Sequence, residues 1–131
     1  MRAESGSGGV VVAVLAAFTV IVSLLVVDVA HVVAARAHLA TAADAAALAA
    51  APVTFSPFGT DGNPTQVAAN TAAANGADLV VCECGKDPTW VTRRVIVTVA
   101  RSVDLLLLGG RRLSATSSAE FQPVALGLGT S

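Results

Sequence analysis

Tyrosine is absent from the 131-residue chain, lysine and tryptophan each occur once, and charged residues make up only 13% of it. An ordinary soluble domain carries about a quarter charged residues, so this composition argues against a freely soluble cytosolic enzyme. The two histidines, His31 and His38, both lie in the N-terminal half, which leaves the carboxylates of the C-terminal half without the usual acid–base partner. Their spacing is about 10 Å along a helix, too far for one metal ion to bridge both rings. Seven Arg, one Lys and nine carboxylates are scattered to a net charge of −1, with no basic stripe to follow phosphates, so nucleic-acid binding is disfavoured. Cys82 and Cys84 are too few for a disulfide framework or a four-ligand zinc site. Neither a nucleophile elbow nor a phosphate-cradling glycine loop occurs. No catalytic residue, cofactor, metal or small-molecule substrate is therefore expected; the chain reads as a structural or interaction protein and not as an enzyme.

What the chain does have is apolar length: its mean hydropathy is +0.72. No charge occurs from Ser5 to Val27, and the run from Val10 to Val27 holds only Thr19 and Ser23 as polar side chains. About 20 helical residues cross the roughly 30 Å hydrocarbon core of a bilayer, so the segment at about 9–28 predicts one membrane span. Backbone groups have no water partners in lipid, which makes these β-branched residues helical despite their strand propensity. A cleavable secretory signal is the rival reading, with Ala35-Arg36-Ala37 as its cleavage site, but the apolar run exceeds the usual signal length. Glycine is missing from Val10 to Phe58 and the first proline is Pro52, while residues 34–51 contain twelve alanines. One helix is expected through residue 51, its second half projecting as a stalk whose small residues suit closely packed partner helices. Gly9, Ala13 and Ala17 recur every fourth residue and form a candidate helix-packing ridge. Asp28, three residues before His31, is expected at the bilayer exit, solvated or paired locally.

A linker at 52–63, a head at 64–124 and a flexible tail at 125–131 complete the division of the chain. Asn63-Pro64-Thr65-Gln66 is an N-cap signature, and Gly76 is placed to end the short helix that follows. Period-two alternation then predicts three strands. Leu79 and Val81 share a face of the first, Val91, Val95, Val97, Val99 and Val103 of the second, and Leu113, Ala115, Ala119 and Phe121 of the third. Gly109-Gly110 marks a two-residue turn between the last two, which should pair antiparallel. The expectation is an α+β fold: a long N-terminal transmembrane-plus-stalk helix, then a small head with a short helix and a three- to four-stranded antiparallel sheet. So small a head has a marginal core and is expected to lean on the stalk. Leu105 to Leu108 are expected in that core, with a partner subunit or lipid as the alternatives. Residues i and i+2 of an extended strand lie about 6.6 Å apart at Cα, at the limit for a disulfide. Reduced buried thiols are thus the first expectation for Cys82 and Cys84, followed by an intermolecular and then an intrachain bridge.

The N-terminal half resembles the TadE/TadG-like proteins of tight-adherence (Flp) pilus assembly, in particular short actinobacterial TadE-like members. The likeness is carried by Gly6-Ser7 before the apolar run, Val27-Asp28-Val29 at its exit, Ala35-Arg36-Ala37-His38-Leu39, and the block from Ala42 through Asp44 and Leu48 to Ala51. The resemblance implies a pseudopilin or assembly component of a Flp-type pilus or related secretion system, anchored by a single pass in the cell membrane with its head extracytoplasmic. Partners would be the membrane and other assembly subunits, including further copies of the chain. Processed pilins of this broader class carry Glu five residues after a cleaved Gly; the matching positions after Gly6, Gly8 and Gly9 are Val11, Ala13 and Val14. A stationary assembly factor is therefore expected in preference to a fibre subunit. The alternatives are a tethered extracytoplasmic binding module or regulator and, more weakly, a secreted domain freed by signal peptidase.

Overall fold

The computed structural model describes residues 2–58 and 62–126. Helix α1 runs unbroken over Arg2–Ala50, 49 residues or about 74 Å at 1.5 Å per residue. Nothing within it interrupts the hydrogen-bond ladder, since the first proline lies beyond its end. Thr19 and Ser23, the two polar side chains of the apolar run, donate their hydroxyls to Leu15 O and Thr19 O at 2.8 Å each, so neither needs water. After α1, a 3₁₀ turn at Pro52–Thr54 uses up a terminal carbonyl: Thr54 donates both its N–H (3.2 Å) and its hydroxyl (2.6 Å) to Ala51 O. A second such turn spans Ser56–Phe58, within the segment expected to be an irregular linker.

Helix α2 covers Pro64–Ala74. Asn63 caps it through its side-chain oxygen, which accepts from Thr65 N at 2.9 Å. Gln66 does not complete a reciprocal box; its amide donates to Asn70 Oδ1 instead. At the other end Gly76 takes φ +71°, and the bonds Gly76 N to Ala73 O and Ala77 N to Ala72 O, both 3.0 Å, close a Schellman motif.

The strands β1 (Asp78–Glu83), β2 (Arg93–Leu105) and β3 (Gly109–Phe121) form one antiparallel sheet in that order. The α+β arrangement is as expected, with three corrections. In β1 the register slips between Leu79 and Val81, leaving Val80 unpaired. This bulge moves the inward face from Leu79 to Cys82, so Val81 is exposed where plain alternation placed it beside Leu79. In β2, Val95, Val97 and Val99 are buried as expected, but Val91 precedes the strand and is exposed. At the hairpin, Leu105 pairs with Gly109, so the connection is the three-residue loop Leu106–Leu108, and Gly109 and Gly110 already belong to β3. Gly109, at φ +69°, closes that loop in the left-handed conformation.

The core changes the meaning of the stalk. Leu39, Ala42, Ala43, Ala46, Ala47 and Ala50 of α1 form one buried cluster with Ala68 and Ala72 of α2 and with Val95, Val97, Val99 and Ala119 of the sheet. Spacings of three, four and seven residues put Asp28, Ala35, Leu39, Ala42, Ala46 and Ala50 along one side of α1. The alanines are small because α2 and the sheet lie directly on them. The packed neighbours expected from other subunits are thus supplied by the chain's own head, and the second half of α1 does not stand clear of it.

Candidate functional site

The surface of α1 divides at Asp28. N-terminal to it, the large apolar side chains from Val10 to Val27 are exposed apart from half-buried Leu24. Gly9, Ala13 and Ala17 lie within this uncovered stretch, and a Cβ added at Gly9 would meet nothing within 4 Å. Gly6 and Ser7 precede it on the same helix. This is the one helix among the described residues long and apolar enough to cross a membrane, and none of its most apolar window is buried.

C-terminal to the divide, the two aspartates of α1 tie it to the β2–β3 hairpin. Asp28 is fully buried, against the expectation of a solvated carboxylate. Its Oδ1 accepts from Leu106 N at 2.7 Å and its Oδ2 from Leu107 N at 2.8 Å, so both oxygens are satisfied by the amides of the loop. Charge-assisted bonds of this kind are the strong ones, and without them a buried carboxylate would be costly. Sixteen residues along, Asp44 accepts from the hydroxyl of Ser117 in the middle of β3. The hairpin therefore lies along α1 with its tip toward the apolar half. Of the other residues in the Tad-like pattern, Leu39 is buried in the core and Leu48 is 66% exposed on the opposite side.

Only Leu105 of the four consecutive leucines enters the core; Leu106, Leu107 and Leu108 are 62%, 45% and 49% exposed. The amides of Leu106 and Leu107 are taken up by Asp28, which leaves their side chains at the end of the hairpin. A groove of about 430 Å³ between α1 and the hairpin is lined by His31, His38, Arg101 and Asp104, among others.

At the far end of the head a second cluster went unseen in the sequence. Phe55 is buried with its ring 4.9 Å from Trp90 in an edge-to-face arrangement and 6.0 Å from Phe121. The Arg93 guanidinium lies 5.6 Å from the centre of the Phe55 ring. It donates to Thr54 O at 3.3 Å, to Val91 O at 3.2 Å, and to Asp87 O and Thr89 O. The side chain of Asp87 accepts from the hydroxyl and the amide of Thr89 at 2.7 and 2.8 Å. Those bonds, with the nearby Arg93 charge, hold the Asp87 carboxyl below the usual carboxylate range. Cys82 and Cys84 form a disulfide with Cα atoms 5.3 Å apart, where a reduced pair was the first expectation. The approach is closer than in an extended strand because β1 ends at Glu83, between the two cysteines. No group of His, Cys, Asp and Glu among the described residues could hold a metal ion.

Residues 6–52 match the family described as Tad, putative Flp pilus-assembly TadE/G-like. The matched segment is α1 with the start of the turn after it, and so contains both Asp28 and Asp44. No curated protein and no solved structure matches the chain. The matched family is described as one of pilus-assembly components.

Proposed function

We propose that this protein is a single-pass, membrane-anchored assembly component of a Flp-type pilus or related secretion system, with the head outside the cytoplasm. It acts without turnover: the first half of α1 sits in the bilayer and packs laterally against other subunits or further copies of the chain, and the head presents a fixed surface to its partners. The observation that carries this reading is the split of the Tad-matched helix, uncovered and apolar up to Val27 and built into the head from Asp28 onward. A soluble protein has no use for so large an uncovered apolar surface. The Gly9, Ala13 and Ala17 ridge is the proposed lateral contact, since small residues let helices approach closely in lipid. The Cys82–Cys84 bridge supports an oxidising compartment for the head. Photo-crosslinking from position 13 or 17 in intact membranes tests the proposal. Adducts with further copies or with pilus subunits are expected, together with loss of appendages or secretion when the gene is disrupted. Recovery of uncrosslinked chain alone, with appendages and secretion intact, would overturn it.

A further inference from the structure

We infer that the β2–β3 hairpin tip is a second membrane contact: Leu106, Leu107 and Leu108 enter the leaflet on the head's side, and Arg101, Arg111 and Arg112 meet its anionic phosphate headgroups. The inference rests on the reading of α1 as a membrane span. Three independent features converge on it. The first is height. Val10 to Val27 is about 27 Å of helix, close to the roughly 30 Å hydrocarbon thickness, so Asp28 falls at the edge of the apolar layer. The tip is bonded to Asp28 at 2.7 and 2.8 Å and therefore lies at the same level.

The second feature is surface chemistry. Three consecutive leucines stand 45–62% exposed there, beside a helix whose Leu25, Val26 and Val29 are exposed at that height. A loop facing water has no reason to be built this way, whereas apolar wedges beside an anchoring helix gain by lying in the acyl boundary. The third is charge. No cation occurs from Ser102 to Gly110; Arg111 pairs opposite Val103, Arg112 opposite Ser102 and Arg101 opposite Leu113. All three arginines are exposed, a short distance behind the leucines. That places them where long basic side chains reach headgroup phosphates. His31 lines the groove beside Arg101 on the same side. The buried Asp28 gains a purpose as well: it takes up two loop amides that would otherwise enter the apolar layer without partners. With two points of attachment, the head cannot rotate freely about α1, and its orientation relative to the bilayer is fixed.

The test uses the full chain in liposomes containing phosphatidylglycerol and phosphatidylcholine, with bromine carried on the acyl chains as a fluorescence quencher. In a Trp90→Phe background, Leu107→Trp should be quenched most by bromine near the headgroup end of the chain, and Leu15→Trp most by bromine near the bilayer centre. Asp28→Ala should weaken quenching at position 107 while leaving position 15 unchanged. Replacing Arg101, Arg111 and Arg112 by Gln should remove any preference for phosphatidylglycerol. Quenching at 15 without quenching at 107 would overturn the hairpin contact and leave the span in place. A concentration-dependent blue shift at 107 without quenching would overturn it in favour of a second copy of the chain. Absence of quenching at both positions would overturn the span itself and the inference with it.

Discussion

The two halves of α1 are both rich in small and apolar residues and both free of glycine beyond Gly9, yet they do opposite things. From Val10 to Val27 large side chains point outward on every side and touch almost nothing of the chain. From Asp28 to Ala50 one side is closed over by α2 and the sheet, and the side chains on it are mostly alanine. Side-chain size distinguishes the halves: Val, Leu and Phe fill the uncovered surface, while Ala lets the helix serve as the spine of a small head. Close approach to a helix axis requires short side chains, because interaxial distance is set by the residues at the contact.

The sharpest way to break this comparison is to make one truncation in each half. Leu39 is the largest α1 side chain in the head core and is 1% exposed. Leu39→Ala should destabilise the head by about 2–5 kcal/mol through lost burial and the cavity left behind. Leu15→Ala, in the uncovered half, should leave head stability unchanged. Thermal unfolding of both variants in the same detergent, followed by near-UV circular dichroism, reads the difference. Equal effects would mean that the halves are not functionally distinct. Enlargement sharpens the contrast from the other side: Ala46→Leu, at a position with no exposed surface, should cost about 1–3 kcal/mol by overpacking, whereas Ala40→Leu on the exposed side should be nearly neutral.

Much of this division is legible in the residues alone. The apolar run, the absence of breakers before Pro52, the Asn63 cap, Gly76 and the alternating strands follow from local chemistry, which acts over a few residues. The features that escape are those set by contacts between distant segments. Nothing near Asp28 indicates that the amides of Leu106 and Leu107 will close over it, about 78 positions away. The alanine block is equally silent about its partner, since a close-packed neighbour from the same chain demands the same small side chains as one from another subunit. The Val80 bulge hides for a different reason, because inserting one residue shifts the inward face without altering composition. Arg93 carries one available signal, an Arg-Arg pair at the start of an apolar strand, but its carbonyl partners come from loops whose course no periodicity predicts.

A smaller effect probes the tip that separates the halves. Gly109 has φ +69° and open space around its Cβ position, so only backbone conformation resists a side chain there. Gly109→Ala should cost about 1–2 kcal/mol, the usual penalty for a left-handed L-residue. The companion Gly76→Ala, at φ +71° and also without steric neighbours, should cost a similar amount. Melting temperatures of the two variants measure both. A neutral Gly109→Ala would mean that the loop can take up another conformation, and the bonds that the Leu106 and Leu107 amides donate to Asp28 would then not fix the hairpin.

The smallest effect lies at the end of the head farthest along α1 from the apolar half, and its sign follows from Asp87. The hydroxyl and amide of Thr89, with Arg93 nearby, favour the charged carboxylate in the folded state. A carboxyl whose folded value is depressed contributes stability that is present above its unfolded value, about 3.9, and lost as pH falls through the folded one. The Thr89 amide resonance should therefore titrate with a midpoint below that of an unstructured aspartate, and the loop at 85–92 should loosen only in acid beyond it. Thr89→Ala removes the hydroxyl donor but keeps the amide, so the midpoint should move part of the way back toward the ordinary value. The hairpin tip should be unaffected over the same range of Thr89 variants, because Asp87 and Asp28 share no partner. A Thr89 midpoint at or above the ordinary carboxylate value would show that Asp87 does not hold this loop, and that Arg93 with the Phe55 cluster is sufficient to close the head at that end.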